Sequence, residues 1–238
     1  DLRGDFGTAR FSVAVADEFA WDKTFADEKQ RRVDTEPFVS RLSRISRRLQ
    51  TSAFRNRDAM FSLALRYTAT KSSLTMLDVG SGRGHRVAKF CRNFKQRGVE
   101  VVPSGIEISR KLASLSNSVF ESFGGCVVAA TAYDGVTRFP CESFDIVLMS
   151  CYLEHEANPF EVLCRTHSTV RNDGVVLVKV PNYNSVNRLL RGSRWCGFRL
   201  PDHVNYFTPA TLRMVADRAG YDVQPQSFLN RLPTSDNM

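Results

Sequence analysis

The residues best placed to do chemistry lie together near position 80. Leu77-Asp78-Val79-Gly80-Ser81-Gly82-Arg83-Gly84-His85 sits where an apolar run, read as a buried strand, gives way to a helical pattern. Glycines at such a junction let the backbone turn sharply and approach a ligand, and the helix that follows offers unpaired N–H groups to an anionic moiety. The spacing is GxGxG, whereas a dinucleotide fingerprint requires GxGxxG, and an acid, Asp78, stands two residues before the first glycine. Both differences argue against a pyrophosphate and for a ligand carrying a positive group. Glu107 lies 23 residues beyond Gly84, in Gly105-Ile106-Glu107-Ile108, at the end of the next apolar run. A carboxylate at a strand end can accept both hydroxyls of a ribose.

Elements that would position these residues are legible on either side. From Leu74 onward short apolar runs alternate with helical patterns, the signature of βαβ units and a parallel sheet. Strands are predicted over 74–79, 99–106, 126–131, 144–149 and 175–180. Asn158 with Pro159 marks a helix start, followed by Phe160, Leu163, His167 and Val170 at helical spacing before Gly174. Thr208 with Pro209 marks another, with Leu212, Val215, Ala216 and Ala219 on one face and Gly220 as its stop. Residues 1–72 carry no comparable strand pattern and read as a helical extension, leaving 73–238 as the core. In that extension Phe38, Leu42, Ile45 and Leu49 form one stripe.

Composition bounds the class. At 238 residues, with 42% apolar and 24% charged residues and 17 Phe, one α/β domain with a short extension is expected. No apolar run reaches the roughly 18 residues of a membrane span, and the first ten residues lack a secretory layout, so a cytoplasmic protein is expected. Cysteines at 91, 126, 141, 151, 164 and 196 contain no CxxC pair, which points to reduced, packed thiols. Of the net charge of +8, residues 31–66 hold +6, nine Arg against Asp34, Glu36 and Asp58. A solvated basic face is the plain reading of that excess, beside peripheral membrane contact or an anionic substrate.

Taken in order, the motifs resemble those of the class I S-adenosylmethionine-dependent methyltransferases, whose first motif is an acid followed by GxGxG and whose second is a ribose-binding acid. The resemblance continues through Phe139-Pro140-Cys141-Glu142-Ser143-Phe144-Asp145, Tyr152-Leu153-Glu154-His155-Glu156-Ala157-Asn158-Pro159, Asn172-Asp173-Gly174, Val180-Pro181-Asn182 and His203-Val204-Asn205-Tyr206-Phe207-Thr208-Pro209. Its Glu-His and Pro-Asn elements point to the small-molecule branch that includes ubiquinone-type O-methyltransferases and sugar-tailoring enzymes. The resemblance implies a Rossmann-like, doubly wound, mostly parallel sheet and S-adenosylmethionine as cofactor. It assigns to the cofactor Asp78, Gly80, Ser81, Gly82, Gly84, Glu107, Ile108, Asp134 (at the adenine amine) and Ser150. In the family two more strands follow the helix that ends here near Ala219. Residues 221–229 can supply one and 231–238, with Pro233, are a poor second, so a six-stranded or truncated sheet is expected.

The sulfonium of this cofactor is already a good leaving group, so the protein has mainly to align an acceptor and remove its proton. Of the four histidines, His85 lies in the glycine loop and His167 on an apolar stripe, which leaves His155 and His203 as base candidates. By resemblance, residues 182–207 cover the acceptor, with Tyr152, Asn182, Trp195 and Tyr206 as candidate walls. Ubiquinone-type enzymes place a further Glu three residues before the Glu of Glu154-His155, completing a magnesium-like site. Here that position is Cys151, so no metal is expected and transfer should be metal-independent. The expected partner is a small-molecule acceptor, methylated at a hydroxyl oxygen. Nucleic acid is disfavoured, because the Arg-rich prefix lacks interleaved aromatics for base stacking and no Asn/Asp-Pro-Pro-Tyr/Phe motif follows strand 144–149; RNA or protein methylation is the alternative. The oligomeric state is open.

Overall fold

The computed structural model describes Arg10–Val13 and residues 59–224 except Cys196. Its centre is a seven-stranded sheet in the order β4-β3-β2-β5-β6-β1-β7, with every recorded pair parallel. The strands are β1 (Arg10–Val13), β2 (Ser73–Val79), β3 (Glu100–Glu107), β4 (Cys126–Ala129), β5 (Phe144–Ser150), β6 (Val170–Lys179) and β7 (Asp222–Gln224). The helices are α1 (Ala59–Tyr67), α2 (His85–Lys95), α3 (Arg110–Glu121), α4 (Ala132–Val136), α5 (Pro159–His167), α6 (Val186–Arg191) and α7 (Pro209–Arg218). This is the α/β, Rossmann-like arrangement that the alternating pattern predicted.

The central strands read as near-continuous apolar runs because helices cover both faces of the sheet. Period-two alternation sorts their side chains. Leu77 and Val79, Val147 and Met149, and Val176 and Val178 share a core with Val136, Leu163, Leu212 and Ala216 from α4, α5 and α7. The intervening Leu74 and Met76, Ile146 and Leu148, and Val175 and Leu177 point the other way, onto α1, α2 and α3. There Phe61 stacks edge-on against Phe90 and Phe94, with centroids 5.3 and 4.9 Å apart.

Helix ends follow the sequence signals. Asn158 and Thr208 cap α5 and α7 with their side chains, each with Pro in the first turn, and Gly220 leaves α7 with φ +90°. Three expectations need correction. The helix through His167 stops there, and Val170 begins β6 instead of extending α5; a register shift between Phe144↔Val170 and Ile146↔Val175 absorbs the extra residues. Arg10–Val13 is a strand in the segment read as helical, and it lies between β6 and β7, parallel to both. The sheet therefore has seven strands and not six, and its additional strand comes from the N-terminal segment. The Phe38 to Leu49 stripe and residues 225–238 lie outside the described residues.

Parallel register delivers the strand ends to one edge. Val79 pairs with Ile106, Glu107 with Ala129 and Ser150 with Lys179, so the glycine loop, Glu107, Ser150 and the segment after Lys179 all emerge together. Ligands of open α/β sheets bind at this carboxyl edge.

Candidate active site

The glycine loop is held in a shape that side chains would oppose. Gly80, Gly82 and Gly84 have φ of +75°, +53° and +75°. A Cβ on Gly80 would also lie 2.8 Å from Cδ2 of Tyr152, whose ring rests on the loop. The N–H groups of Gly80 and Ser81 donate to the carbonyl of Ile106 at 2.9 and 3.0 Å, and the Gly82 N–H donates to Oε2 of Glu107 at 2.8 Å. Oε1 of Glu107 accepts from the Ser109 N–H at 2.9 Å. One carboxylate thus braces the loop against the end of β3. Each of its oxygens keeps a further lone-pair direction for a ligand hydroxyl.

Asp78 is buried beneath this loop. Desolvation pushes its carboxyl up to about 7, opposed by the charge of Arg86 and reinforced by Glu107. A cationic group brought alongside would favour the charged form. The hydroxyls of Ser81 and Ser150 are buried at the same edge with no hydrogen-bond partner among the described residues. Buried polar atoms are ordinarily satisfied, so each hydroxyl has bonding capacity to offer a polar group at this edge. Ile108 is 71% exposed beside Glu107, an apolar surface at the mouth of the site. Asp134 sits in the first turn of α4, and its carboxylate accepts from the Thr131 hydroxyl at 2.9 Å.

Past β5 the chain enters a short 3-10 turn, Leu153–His155. Cys151, at φ +55°, makes the turn out of the strand, its N–H donating to the Lys179 carbonyl at 2.7 Å. Its thiol is pushed up by burial and by the Glu154 charge. The Tyr152 hydroxyl donates to the Glu156 carboxylate. Burial and that bond raise the phenol well above its ordinary range.

Here the structure joins residues that are 48 positions apart. The carbonyl of Glu154 accepts from the N–H groups of Val204 and Asn205 at 2.9 and 3.0 Å, and the Asn205 amide donates to the carbonyls of Leu153 and Glu156. The rings of His155 and His203 consequently meet edge to face, centroids 4.7 Å apart. His155 is exposed and its Nδ1 lies 2.8 Å from the Asp202 carbonyl; His203 is buried and its Nδ1 lies 2.8 Å from the Gly197 carbonyl. A carbonyl can only accept, so each Nδ1 carries a proton, and the neutral form of each ring has its lone pair on Nε2. Burial holds His203 at about 4, so it is neutral at working pH.

Of the predicted acceptor walls, Trp195 and Tyr206 join one aromatic cluster, and sequence reasoning missed its other members, Tyr183 and Phe198. Trp195–Phe198 and Phe198–Tyr206 centroids are both 5.3 Å apart, and Tyr183–Tyr206 are 5.8 Å apart. Arg188 lies over the Tyr183 ring at 4.4 Å. Trp195 Nε1 and the Tyr206 hydroxyl are buried with no hydrogen-bond partner among the described residues. The signal was available as four aromatics within residues 183–206. Asn182 lies in the loop after β6, its Oδ1 accepting from the Asn184 N–H at 2.9 Å.

A glycine loop over a buried acid, a carboxylate at the end of the next strand and an open carboxyl edge together have the class I methyltransferase arrangement. Residues 44–226 match the methyltransferase domain family, and the chain belongs to it. It is a methyltransferase that uses S-adenosylmethionine. Among curated relatives, the ubiquinone biosynthesis O-methyltransferase of Thiobacillus denitrificans is 28% identical over 173 residues, covering 68% of this chain and 72% of its own. Among solved structures, an S-adenosylmethionine-dependent methyltransferase of Archaeoglobus fulgidus superposes with TM-score 0.51 at 24% identity, covering 69% of each chain. A [4+2]-cyclase superposes with TM-score 0.52 at 17% identity, covering 68% of this chain and 56% of its own. These structural likenesses concern the fold, and the cyclase shows that this fold hosts more than one chemistry.

Proposed function

We propose that this methyltransferase acts on a small-molecule acceptor at a hydroxyl oxygen, with Glu107 and the Gly80–Gly84 loop holding the cofactor and residues 182–207 covering the acceptor. One observation carries the reading: Tyr152 touches Gly80 on the cofactor loop, and the turn it opens runs directly into Glu154, His155 and, through Asn205, His203. The distance from cofactor loop to imidazoles is thus a few residues along one turn. The Thiobacillus relative, by its name an O-methyltransferase, supports a hydroxyl acceptor.

The sulfonium supplies an activated methyl group. The protein's own work is alignment and proton removal. Asp78 faces the cationic end of the cofactor, Glu107 takes the ribose, Ile108 contributes apolar surface, and Ser81 and Ser150 offer donors to its polar groups. His155, exposed and oriented by the Asp202 carbonyl, accepts the hydroxyl proton on Nε2 as the oxygen attacks. His203 is too weak a base at about 4 for that task, and positions the acceptor instead. Trp195, Tyr206 and Phe198 wall an apolar, planar acceptor. We also place the protein in the cytoplasm: Cys91, Cys126, Cys141, Cys151 and Cys164 are free thiols, and among the described residues no helix is long and apolar enough to cross a membrane.

A magnesium ion held as in the ubiquinone-type pattern does not fit. The third oxygen ligand is replaced by Cys151, a half-buried thiol pushed up and therefore protonated, which a hard cation does not accept. No step is assigned to it.

Methyl-tritiated cofactor, incubated with phenols, nucleotide sugars and RNA, tests the reading. Label should partition into small hydroxylated products. Transfer to RNA alone would overturn it.

A further inference from the structure

Magnesium is excluded by one missing oxygen, yet the same turn assembles a different donor set. Glu154, His155 and His203 each offer a ligand atom within 4.8 Å of the other two. Tetrahedral zinc, with bonds of about 2.1 Å, places its ligands about 3.4 Å apart, so each pair here has about 1.4 Å or less to close. Three further features distinguish it from a chance gathering. The Glu154 side chain is 1% exposed and neither carboxylate oxygen has a hydrogen-bond partner among the described residues, although the charges of Lys179 and Arg199 act on it at longer range. Burial without a hydrogen-bond partner favours the neutral carboxyl there, and a cation brought against it favours the carboxylate. Both imidazoles commit Nδ1–H to a backbone carbonyl, His155 to Asp202 and His203 to Gly197, which fixes the tautomer with the lone pair on Nε2. Metal-ligating histidines are characteristically oriented in this way. Finally, the Val204 and Asn205 N–H bonds to the Glu154 carbonyl lock the two chain segments together, so the donors are preorganised.

We propose that Glu154, His155 and His203 form a three-ligand site that takes a zinc-class divalent ion in preference to magnesium, and that its occupancy withdraws His155 from proton transfer. Two imidazole nitrogens and one carboxylate oxygen suit borderline transition ions, and magnesium, which prefers an all-oxygen shell, is the poorer guest. An imidazole whose Nε2 lone pair is given to an ion cannot accept the hydroxyl proton. The second half rests on the methyl-transfer reading given above; the first half does not.

The test uses the whole chain, stripped with chelator, and cobalt(II) and zinc(II) as probes. Cobalt should give visible d–d absorption saturating at one equivalent, zinc should bleach it, and a hundredfold excess of magnesium should not. Glu154→Gln and, separately, the exposed His155→Ala should weaken cobalt binding roughly tenfold or more; His167→Ala, on α5 away from the cluster, should not change it. Melting curves on each variant confirm folding. Stripped enzyme should turn over, and zinc should inhibit it with the midpoint at which it displaces cobalt. Absence of stoichiometric cobalt binding, or binding indifferent to both Glu154→Gln and His155→Ala, overturns the site. Zinc occupancy without loss of turnover overturns the withdrawal of His155. If the stripped enzyme methylates no acceptor while cobalt binds as described, the methyl-transfer reading fails and the site stands.

Discussion

Asp78 is the residue whose environment makes the sharpest demand on the cofactor. Its carboxyl is held up at about 7 by burial, so at pH 6 the free protein keeps it mostly protonated. A cationic cofactor group beside it favours the carboxylate and lowers that value on binding. Binding at pH 6 should therefore release a proton, and affinity should rise with pH up to about 7 and then level. Calorimetry of S-adenosylmethionine binding at pH 6, in two buffers of different ionisation enthalpy, measures the release; heats that agree in both buffers would mean Asp78 does not sense the cofactor. At this scale the sequence was most legible where chemistry fixes spacing. Gly80, Gly82, Gly84 and Glu107 stand where the motif required them, because a tight turn and a strand end leave few alternatives. The pairing of His155 with His203 was hidden, since no local pattern spans 48 residues, as were the local bonds that join Asn182 to Asn184 and Asp134 to Thr131.

Elements carry the next constraint, through close approach. Gly105 in β3 has no positive φ to explain it; a Cβ there would meet Phe120 at 2.9 and 3.0 Å and Val127 at 3.1 Å. Phe120 is fully buried and also lies 3.3 Å from a Cβ placed on Gly84, so α3 packs against both the strand and the loop. Gly105→Ala should therefore cost about 1–3 kcal/mol in a urea melt and weaken cofactor binding, because displacing Phe120 disturbs Gly84. A variant with wild-type stability would show that α3 yields without cost. Helix starts at Asn158 and Thr208 were legible because capping and proline act within four residues. The start of β6 was not, because Val170 continues the helical spacing of α5 and only pairing with Phe144 turns it into strand.

At the scale of the whole molecule, the unexpected feature is β1 lying between β6 and β7. Four residues carry too little pattern to read as a strand alone, and their place is set by pairing with Val175, Val176, Leu177 and Val178 on one side and Asp222, Val223 and Gln224 on the other. Removing residues 1–13 should unpair the facing edges of β6 and β7, lowering the melting temperature and promoting aggregation through the exposed edge. Light scattering and a thermal melt check this, and an unchanged melt would mean that β1 adds nothing to the sheet. The two cores sort by period-two alternation along strands covered on both faces. All of this architecture delivers one edge to the cofactor, and the account turns on whether it binds there. Titration calorimetry of S-adenosylmethionine with wild type, Glu107→Ala and His203→Ala is the direct measurement. Wild type should bind, Glu107→Ala should lose about tenfold or more (about 1.4 kcal/mol), and His203→Ala should change little. Glu107→Ala binding the cofactor as tightly as wild type would contradict it.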